Sequence, residues 1–146
     1  MVPTTPIGAP HSSAVQKLSR KLTLALDGRA EVFCQAPFAA LDASEPEPDV
    51  MVVPLGDYHE HHPSAAHLVV EVADSSLEKD LTTKLPIYAR AKVPEYWVID
   101  VMNHRVHVFT EPNLEGYSEQ RIVEHAGELG PAAFPDVVVR VADVIK

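Results

Sequence analysis

The amino-acid sequence predicts a mixed α/β fold, in which helices pack on a central sheet. Two short runs, "VMVVP" at 50–54 and "LVVEVA" at 68–73, are typical of strands covered on both faces, because apolar residues are nearly continuous along them. Segments with apolar residues at helical spacing occur before the first run and after the second. The predicted order is therefore helix, three strands, helix and further strands.

The first helix is predicted within "HSSAVQKLSRKLTLAL" at 11–26, where Ser13 and Gln16 have capping-box spacing. Its apolar residues recur on one stripe, which comprises Val15, Leu18, Leu22 and Ala25. Asp27 and Gly28 follow this stripe and are expected to end the helix.

The segment "AEVFCQA" at 30–36 alternates as a half-buried strand does, and this alternation predicts a buried Cys34. Cys34 is the only cysteine, so no disulfide can form within the chain. The proline-rich "SEPEPD" at 44–49 then predicts a polar connection that is not helical.

A second helix is predicted from Ser75 to about Lys92, with Glu78 at capping-box spacing from Ser75. Its buried face comprises Leu77, Leu81, Leu85 and Tyr88. Pro86 removes the hydrogen bond to the carbonyl of Thr82, so we expect a kink or a loosened turn.

The rest of the chain is predicted to be mainly strands. "EYWVIDV" and "RVHVFT" read as a hairpin joined across "MNH", and "YSEQRIVEH" reads as a further strand. "FPDVVVRVADVI" predicts a last strand followed by a helical turn. In the hairpin we assign core packing and a strand-end cap to Tyr96, Trp97 and Asp100.

The composition limits the classes of function. The formal net charge of −9 argues against a general nucleic-acid-binding surface, which would need lysine and arginine to neutralise phosphates. It does not exclude a metal-dependent phosphodiesterase, because such a site needs carboxylates to hold its ions. With no apolar run of membrane-spanning length and no leader pattern at the N-terminus, we expect a cytoplasmic protein and no membrane partner.

Two carboxylates are expected to meet at neighbouring strands. Asp49 directly precedes one apolar strand and Glu71 lies within the next, so pairing of the strands would bring both to one place. Carboxylate and carbonyl oxygens are the ligands that Mg²⁺ prefers, and the carbonyl of Val72 is the natural third ligand. The alternative is that both are structural carboxylates at strand ends.

Lys84 is a third candidate, because it interrupts the edge of the apolar stripe of the second helix. An antiparallel return of the chain would bring it abreast of Glu71. Asp80, one turn earlier, could orient Lys84, or the two could form only an i,i+4 ion pair. The cluster His59, His61 and His62 invites a zinc interpretation, but its spacing and polar surroundings favour a solvated loop.

Two segments carry a resemblance to a known family. They are "EPDVMVV" and "LVVEVADSSLEKDLTTKLPIYARAKVPEYWVID". Together they resemble the Uma-two family of restriction-endonuclease-like proteins, a branch of the PD-(D/E)xK nuclease superfamily. The resemblance covers about the last two-thirds of the chain and implies a restriction-endonuclease-like core with a central mixed β-sheet flanked by helices. The length of the chain predicts one domain over residues 1–146, with a flexible lead at 1–10.

The resemblance also implies roles for the candidate residues. Pro48 and Asp49 match the PD of the superfamily pattern, and Glu71 matches its second acidic residue. The lysine expected two residues later is Ala73 here, and Lys84 fits the nucleases in which that lysine has moved to the following helix. The implied function is a Mg²⁺- or Mn²⁺-dependent endonuclease that acts on DNA.

One departure from the family pattern keeps a second hypothesis open. Members usually begin with an extra hairpin and an acidic residue ahead of the first helix, and this sequence begins just before that helix. A catalytically inactive binding or assembly module is therefore the alternative. An uncovered sheet edge also predicts a homodimer, for which the hairpin "EYWVIDV" and "RVHVFT" offers an apolar surface.

Overall fold

A computed structural model describes residues 8–40 and 45–146 of the chain. In chain order the elements are helix α1 (Ala9–Ala25), strands β1 (Ala30–Cys34), β2 (Val50–Pro54) and β3 (Leu68–Ala73), helices α2 (Leu77–Thr82) and α3 (Lys84–Arg90), strands β4 (Glu95–Asp100), β5 (Arg105–Pro112), β6 (Tyr117–Glu124), β7 (Glu128–Leu129) and β8 (Val139–Arg140), and a 3-10 turn (Val141–Asp143).

Within these residues, six strands form one mixed sheet in the order β1-β2-β3-β4-β5-β6. All neighbours in this sheet are antiparallel except β3 and β4, which are parallel and joined by α2 and α3. A helical crossover is the usual connection between parallel neighbours. β7 and β8 form a separate antiparallel pair. The predicted mixed sheet flanked by helices is confirmed.

The helices cover opposite faces of this sheet, because successive strand residues alternate between two cores. α1 and the C-terminal residues 129–145 pack over one core, which includes Leu22 and Trp97. α2 and α3 pack over the other, which includes Tyr88 and Tyr96. β3 and β4 are buried along their whole length, as strands between two helical layers must be.

α1 begins earlier than the sequence predicts. It starts at Ala9 with Pro10 in its first turn, where proline supplies a helical φ and its missing N–H is not needed. The predicted capping box at Ser13 is wrong, since that residue lies inside the helix. Residues 9 and 10 of the predicted flexible lead are helical, and residues 1–7 lie outside the described ranges.

The apolar stripe of α1 is confirmed at Val15, Leu18 and Leu22, which are buried. Ala25 is exposed, in contrast to the prediction, and the following Leu26 is buried in its place. The helix has ended at Ala25, so the helical period no longer decides which of these residues faces the core.

The predicted second helix is two helices, α2 and α3, which meet at Thr83. The break lies one turn before Pro86, whose ring crowds the preceding turn and which has no N–H to donate. The capping box predicted at Ser75 does not form. α2 begins at Leu77, and the hydroxyl of Ser76 donates instead to Asp80 Oδ2 at 2.9 Å.

Two further predictions about burial are wrong. Cys34 is exposed, because it ends β1 at the edge of the sheet, where alternation alone does not enforce burial. The hairpin of β4 and β5 is internal to the sheet, and β4 is fully buried, so it offers no surface to a second copy.

None of the helices in the described ranges has the length and apolar character needed to cross a membrane.

Candidate active site

Asp49 and Glu71 lie together at one end of the sheet. β2 and β3 pair in antiparallel register with Val50 opposite Val70, so the residue before β2 adjoins the later part of β3. The backbone N–H of Asp49 donates to Glu71 Oε1 at 3.3 Å. The adjacency predicted from the two apolar strands is present in the structure.

Val72 lies beside this pair. Its backbone N–H donates to Asp49 Oδ2 at 2.8 Å. The N–H and C=O of one strand residue face the same neighbour, so the Val72 carbonyl faces the edge on which Asp49 lies. The predicted trio of two carboxylates and one carbonyl is therefore grouped at this end of the sheet.

Lys84 contacts two acidic side chains from the start of α3. Its Nζ lies 3.3 Å from Glu71 Oε2 and 3.0 Å from Asp80 Oδ1. The two carboxylates are 2% and 1% exposed, whereas the Lys84 side chain is 29% exposed. Lys84 thus joins two buried carboxylates and keeps one side open to solvent.

Asp80 forms the i,i+4 ion pair with Lys84 that the sequence left open, and it makes further contacts. Its second carboxylate oxygen accepts the hydrogen bond from Ser76. Its backbone carbonyl accepts a 2.8 Å hydrogen bond from the Tyr96 hydroxyl. The residue that neutralises Lys84 is therefore held in place by its own helix and by β4.

Burial has the largest effect on the pKa values of Glu71 and Lys84. It raises the pKa of Glu71 to about 7, against the opposing effects of Lys84 and of a hydrogen bond from Tyr88. Burial also lowers the pKa of Lys84, but the neighbouring carboxylates Glu71 and Asp80 outweigh it and the net pKa is raised. A carboxyl that titrates near neutral pH beside a persistent cation is typical of functional sites.

Comparisons with known proteins identify the family of the chain. A family model described as "Uma2: Putative restriction endonuclease" matches residues 1–142. The chain belongs to the Uma2 family. No curated protein matches the chain with significance.

Two solved structures are similar to this Uma2 protein. One is described as a "putative nuclease belonging to DUF820 from Anabaena variabilis ATCC 29413", with a TM-score of 0.77 and 15% identity, over 97% of this chain and 82% of that chain. The other is the type IIG restriction endonuclease BpuSI, with a TM-score of 0.49 and 20% identity, over 80% of this chain and 13% of that chain. The first likeness shows a restriction-endonuclease-like fold.

Two residues at the site of this Uma2 protein are not predicted as site residues from the sequence. The Tyr88 hydroxyl donates a 2.8 Å hydrogen bond to Glu71 Oε2, although the sequence predicts only a core residue there. Its position one helical turn after Lys84 is a signal that could have found it. His11 Nε2 lies 3.3 Å from Asp49 Oδ2, and no spacing in the sequence connects these two residues.

The donor set of this Uma2 site fits a hard divalent cation. Among residues 8–40 and 45–146, no group of three or more His, Cys, Asp or Glu side chains is arranged to hold a metal ion. Mg²⁺ does not need such a cage, because proteins commonly bind it through one or two carboxylates while it keeps several waters. Asp49, Glu71 and the carbonyl of Val72 supply that kind of set.

Residues outside the site follow the simpler interpretations. His59, His61 and His62 are exposed in the loop before β3. Trp97 is buried and donates from Nε1 to Glu95 Oε2 at 2.8 Å. Asp100 ends β4 and accepts hydrogen bonds from the backbone and the side chain of Asn103. Packing and capping account for the aromatic pair and the aspartate, as the sequence predicts.

Proposed function

We propose that this Uma2 protein is a metal-dependent endonuclease that hydrolyses phosphodiester bonds of DNA. One observation carries the proposal. A partly exposed lysine, Lys84, is joined to a buried glutamate, Glu71, directly beside Asp49 at the end of the sheet. Two carboxylates and a lysine at one edge are the groups that phosphoryl chemistry with a divalent ion requires.

Each residue has a distinct role in this proposal. Asp49, Glu71 and the Val72 carbonyl hold Mg²⁺ or Mn²⁺. When bound, the ion would stabilise the charge that develops on the phosphate and would activate the attacking water. Lys84, with its open side toward solvent, positions the water or the scissile phosphate, and Asp80 holds Lys84 in that position.

The metal also explains why so acidic a protein would act on DNA. The net charge of −9 gives the surface as a whole no attraction for phosphates. A divalent ion held by two carboxylates reverses the local charge at the point where the substrate has to approach. We therefore expect binding of DNA to depend on the ion.

Cleavage assays test this proposal. Single- and double-stranded DNA are incubated with Mg²⁺ or Mn²⁺ and with the wild type, Glu71→Ala or Glu78→Ala, and metal binding is followed by calorimetry. Glu78 is an exposed residue of α2 and serves as the matched control. We expect cleavage by the wild type and the control but not by Glu71→Ala. A wild type that neither cuts nor binds metal would contradict the proposal.

The acidic surface favours one other function, a nuclease fold that acts only as a binding or assembly module. In that case the carboxylates and Lys84 would form a structural ion cluster. We also propose a homodimer. β4 and β5 are internal to the sheet and cannot form the interface. Of the two edge strands, β1 is more apolar than β6, so we assign the dimer interface to β1.

A further inference from the structure

His11 reaches the proposed metal site from the opposite face of the sheet. It lies in the first turn of α1. Lys84 belongs to α3 on the other face of the sheet, and the Glu71 side chain points toward that helix. Its Nε2 lies 3.3 Å from Asp49 Oδ2, and the side chains of the two residues are only 14% and 15% exposed. One helical layer of the fold therefore contacts Asp49 and the other contacts Glu71.

The contact falls on the oxygen of Asp49 that is already in use. Oδ2 accepts the hydrogen bond from the Val72 N–H at 2.8 Å and also faces His11 Nε2. Within the described part of the chain, Oδ1 makes no hydrogen bond to another residue. The backbone N–H of Val72 and the ring of His11 thus both lie at Oδ2, and Oδ1 is the oxygen that neither of them contacts.

The ring of His11 has one polar partner among the described residues. Its Nδ1 is buried there without a hydrogen-bond partner. A carboxylate oxygen only accepts, so a hydrogen bond between these two atoms requires the hydrogen on Nε2. Stability alone does not favour a buried nitrogen without a partner, and such atoms in a native structure call for an explanation, of which a role in catalysis is one.

We propose that His11 is a positioning residue for Asp49. It donates Nε2–H to Oδ2 and so leaves Oδ1 directed at the cation. This inference rests on the proposed function, since the cation is the one assigned to Asp49 and Glu71. His11 is not itself assigned as a ligand, because no three acidic or histidine side chains of the described ranges are arranged to hold a metal.

Metal titration of two variants tests this role. His11→Gln keeps a donor near the Nε2 position, and His11→Leu removes it. His59→Leu, in the exposed loop, is the matched control. Calorimetry measures the Kd for Mg²⁺ and Mn²⁺, and thermal unfolding of each variant is measured in parallel.

We expect His11→Leu to lower the affinity for both metals by about 10- to 100-fold, which is the usual effect of losing a group that orients a ligand. His11→Gln should stay close to the wild type. Wild-type affinity in His11→Leu would overturn the proposal. The proposal would also be overturned if both variants lost the same amount of affinity and lost more of it for Mn²⁺ than for Mg²⁺. That result would make His11 a metal ligand, because imidazole ligation favours the later transition metals.

A second measurement does not depend on the metal. Nitrogen-15 NMR of the imidazole ring in the metal-free protein reports whether Nε2 is protonated, and Asp49→Asn should shift the His11 ring signals while Asp27→Asn should not. Unchanged His11 signals in Asp49→Asn would overturn the contact itself. A wild type that binds no metal but shows this shift would instead contradict the proposed function.

Discussion

Lys84 Nζ lies 3.3 Å from Glu71 Oε2 and thereby joins the first turn of α3 to the middle strands of the sheet. The glutamate is almost fully buried, and its pKa is raised to about 7 although this cation is adjacent to it. One lysine therefore does not fully compensate the burial of this carboxyl. A bound divalent ion would add the missing positive charge, and this deficit underlies the first three predictions.

Asp49→Asn and Glu71→Gln should abolish Mg²⁺ binding and leave the fold intact. Each variant removes the charge of a proposed ligand, while the amide keeps the shape and can still accept a hydrogen bond. Removing the repulsion between the two carboxylates should even stabilise the metal-free protein slightly. Calorimetry gives the affinity and circular dichroism the fold. Glu78→Gln is the control, and full affinity in either site variant would refute the assignment.

Lys84→Met should lower turnover by about 10²-fold or more while metal affinity is kept or improved. The lysine acts on the phosphate, and without it the metal no longer competes with an ammonium group for Glu71. The same variant leaves two buried carboxylates without a cation, so the free energy of unfolding of the metal-free protein should fall by about 3 kcal/mol. Urea unfolding with and without Mg²⁺ checks this, with the exposed Lys79→Met as control.

Stability should fall as pH rises toward neutrality because of Glu71. Its pKa is raised from 4.5 to about 7, so the native state keeps a proton that the unfolded state loses over this range. The contribution is fully present below about pH 4.5 and is lost as pH passes 7, and it amounts to about 3 kcal/mol. Urea unfolding from about pH 4.5 to about pH 8 should show this fall in the wild type relative to Glu71→Gln. Parallel curves for the two proteins would contradict it.

Tyr88→Phe should weaken Mg²⁺ binding at neutral pH and spare it at higher pH. The tyrosine hydroxyl donates to Glu71 and lowers its pKa, so its loss raises that pKa further and makes a proton compete better with the metal. Calorimetry at pH 7 and pH 9 measures the difference. Tyr58→Phe, which loses only a hydrogen bond to the Pro54 carbonyl, should behave as the wild type. An equal loss at both pH values would assign Tyr88 to packing alone.

The proposed homodimer predicts twice the monomer mass in light scattering at tens of micromolar protein. Among residues 8–40 and 45–146, β1 pairs only with β2, and its other edge presents backbone groups that a second copy can pair. A monomer mass over the whole concentration range would disprove it. Neither result decides whether the site is active, so this measurement tests the architecture and not the chemistry.

Much of this fold could be predicted because its strands are short and apolar. β2 and β3 lie between two helical layers, so burial on both faces requires nearly continuous apolar residues, and that pattern is visible in the sequence. Against such a background Glu71 stands out. The following helix interrupts its apolar stripe with Lys84, and these two exceptions to the apolar pattern together locate the candidate site.

Helix boundaries and surface residues were harder to predict. Capping boxes at Ser13 and Ser75 fit the spacing rule, but the helices begin at Ala9 and Leu77, since a proline and the packing of the chain outweigh a cap of about 1 kcal/mol. Cys34 alternates as a buried residue does, yet it ends an edge strand. Local rules do not contain the information on which strand lies at an edge.

The sequence by itself determined the mixed sheet and the place where Asp49, Glu71 and Lys84 meet, because apolar periodicity dictates strands and helices, and a polar residue that breaks the pattern must have a partner. Only the tertiary structure decided which further residues contact the two carboxylates. Tyr88 contacts Glu71 and His11 contacts Asp49 from opposite faces of the sheet. Such contacts depend on where each helix crosses the sheet and on how deeply it packs, and side chains distant in sequence set both.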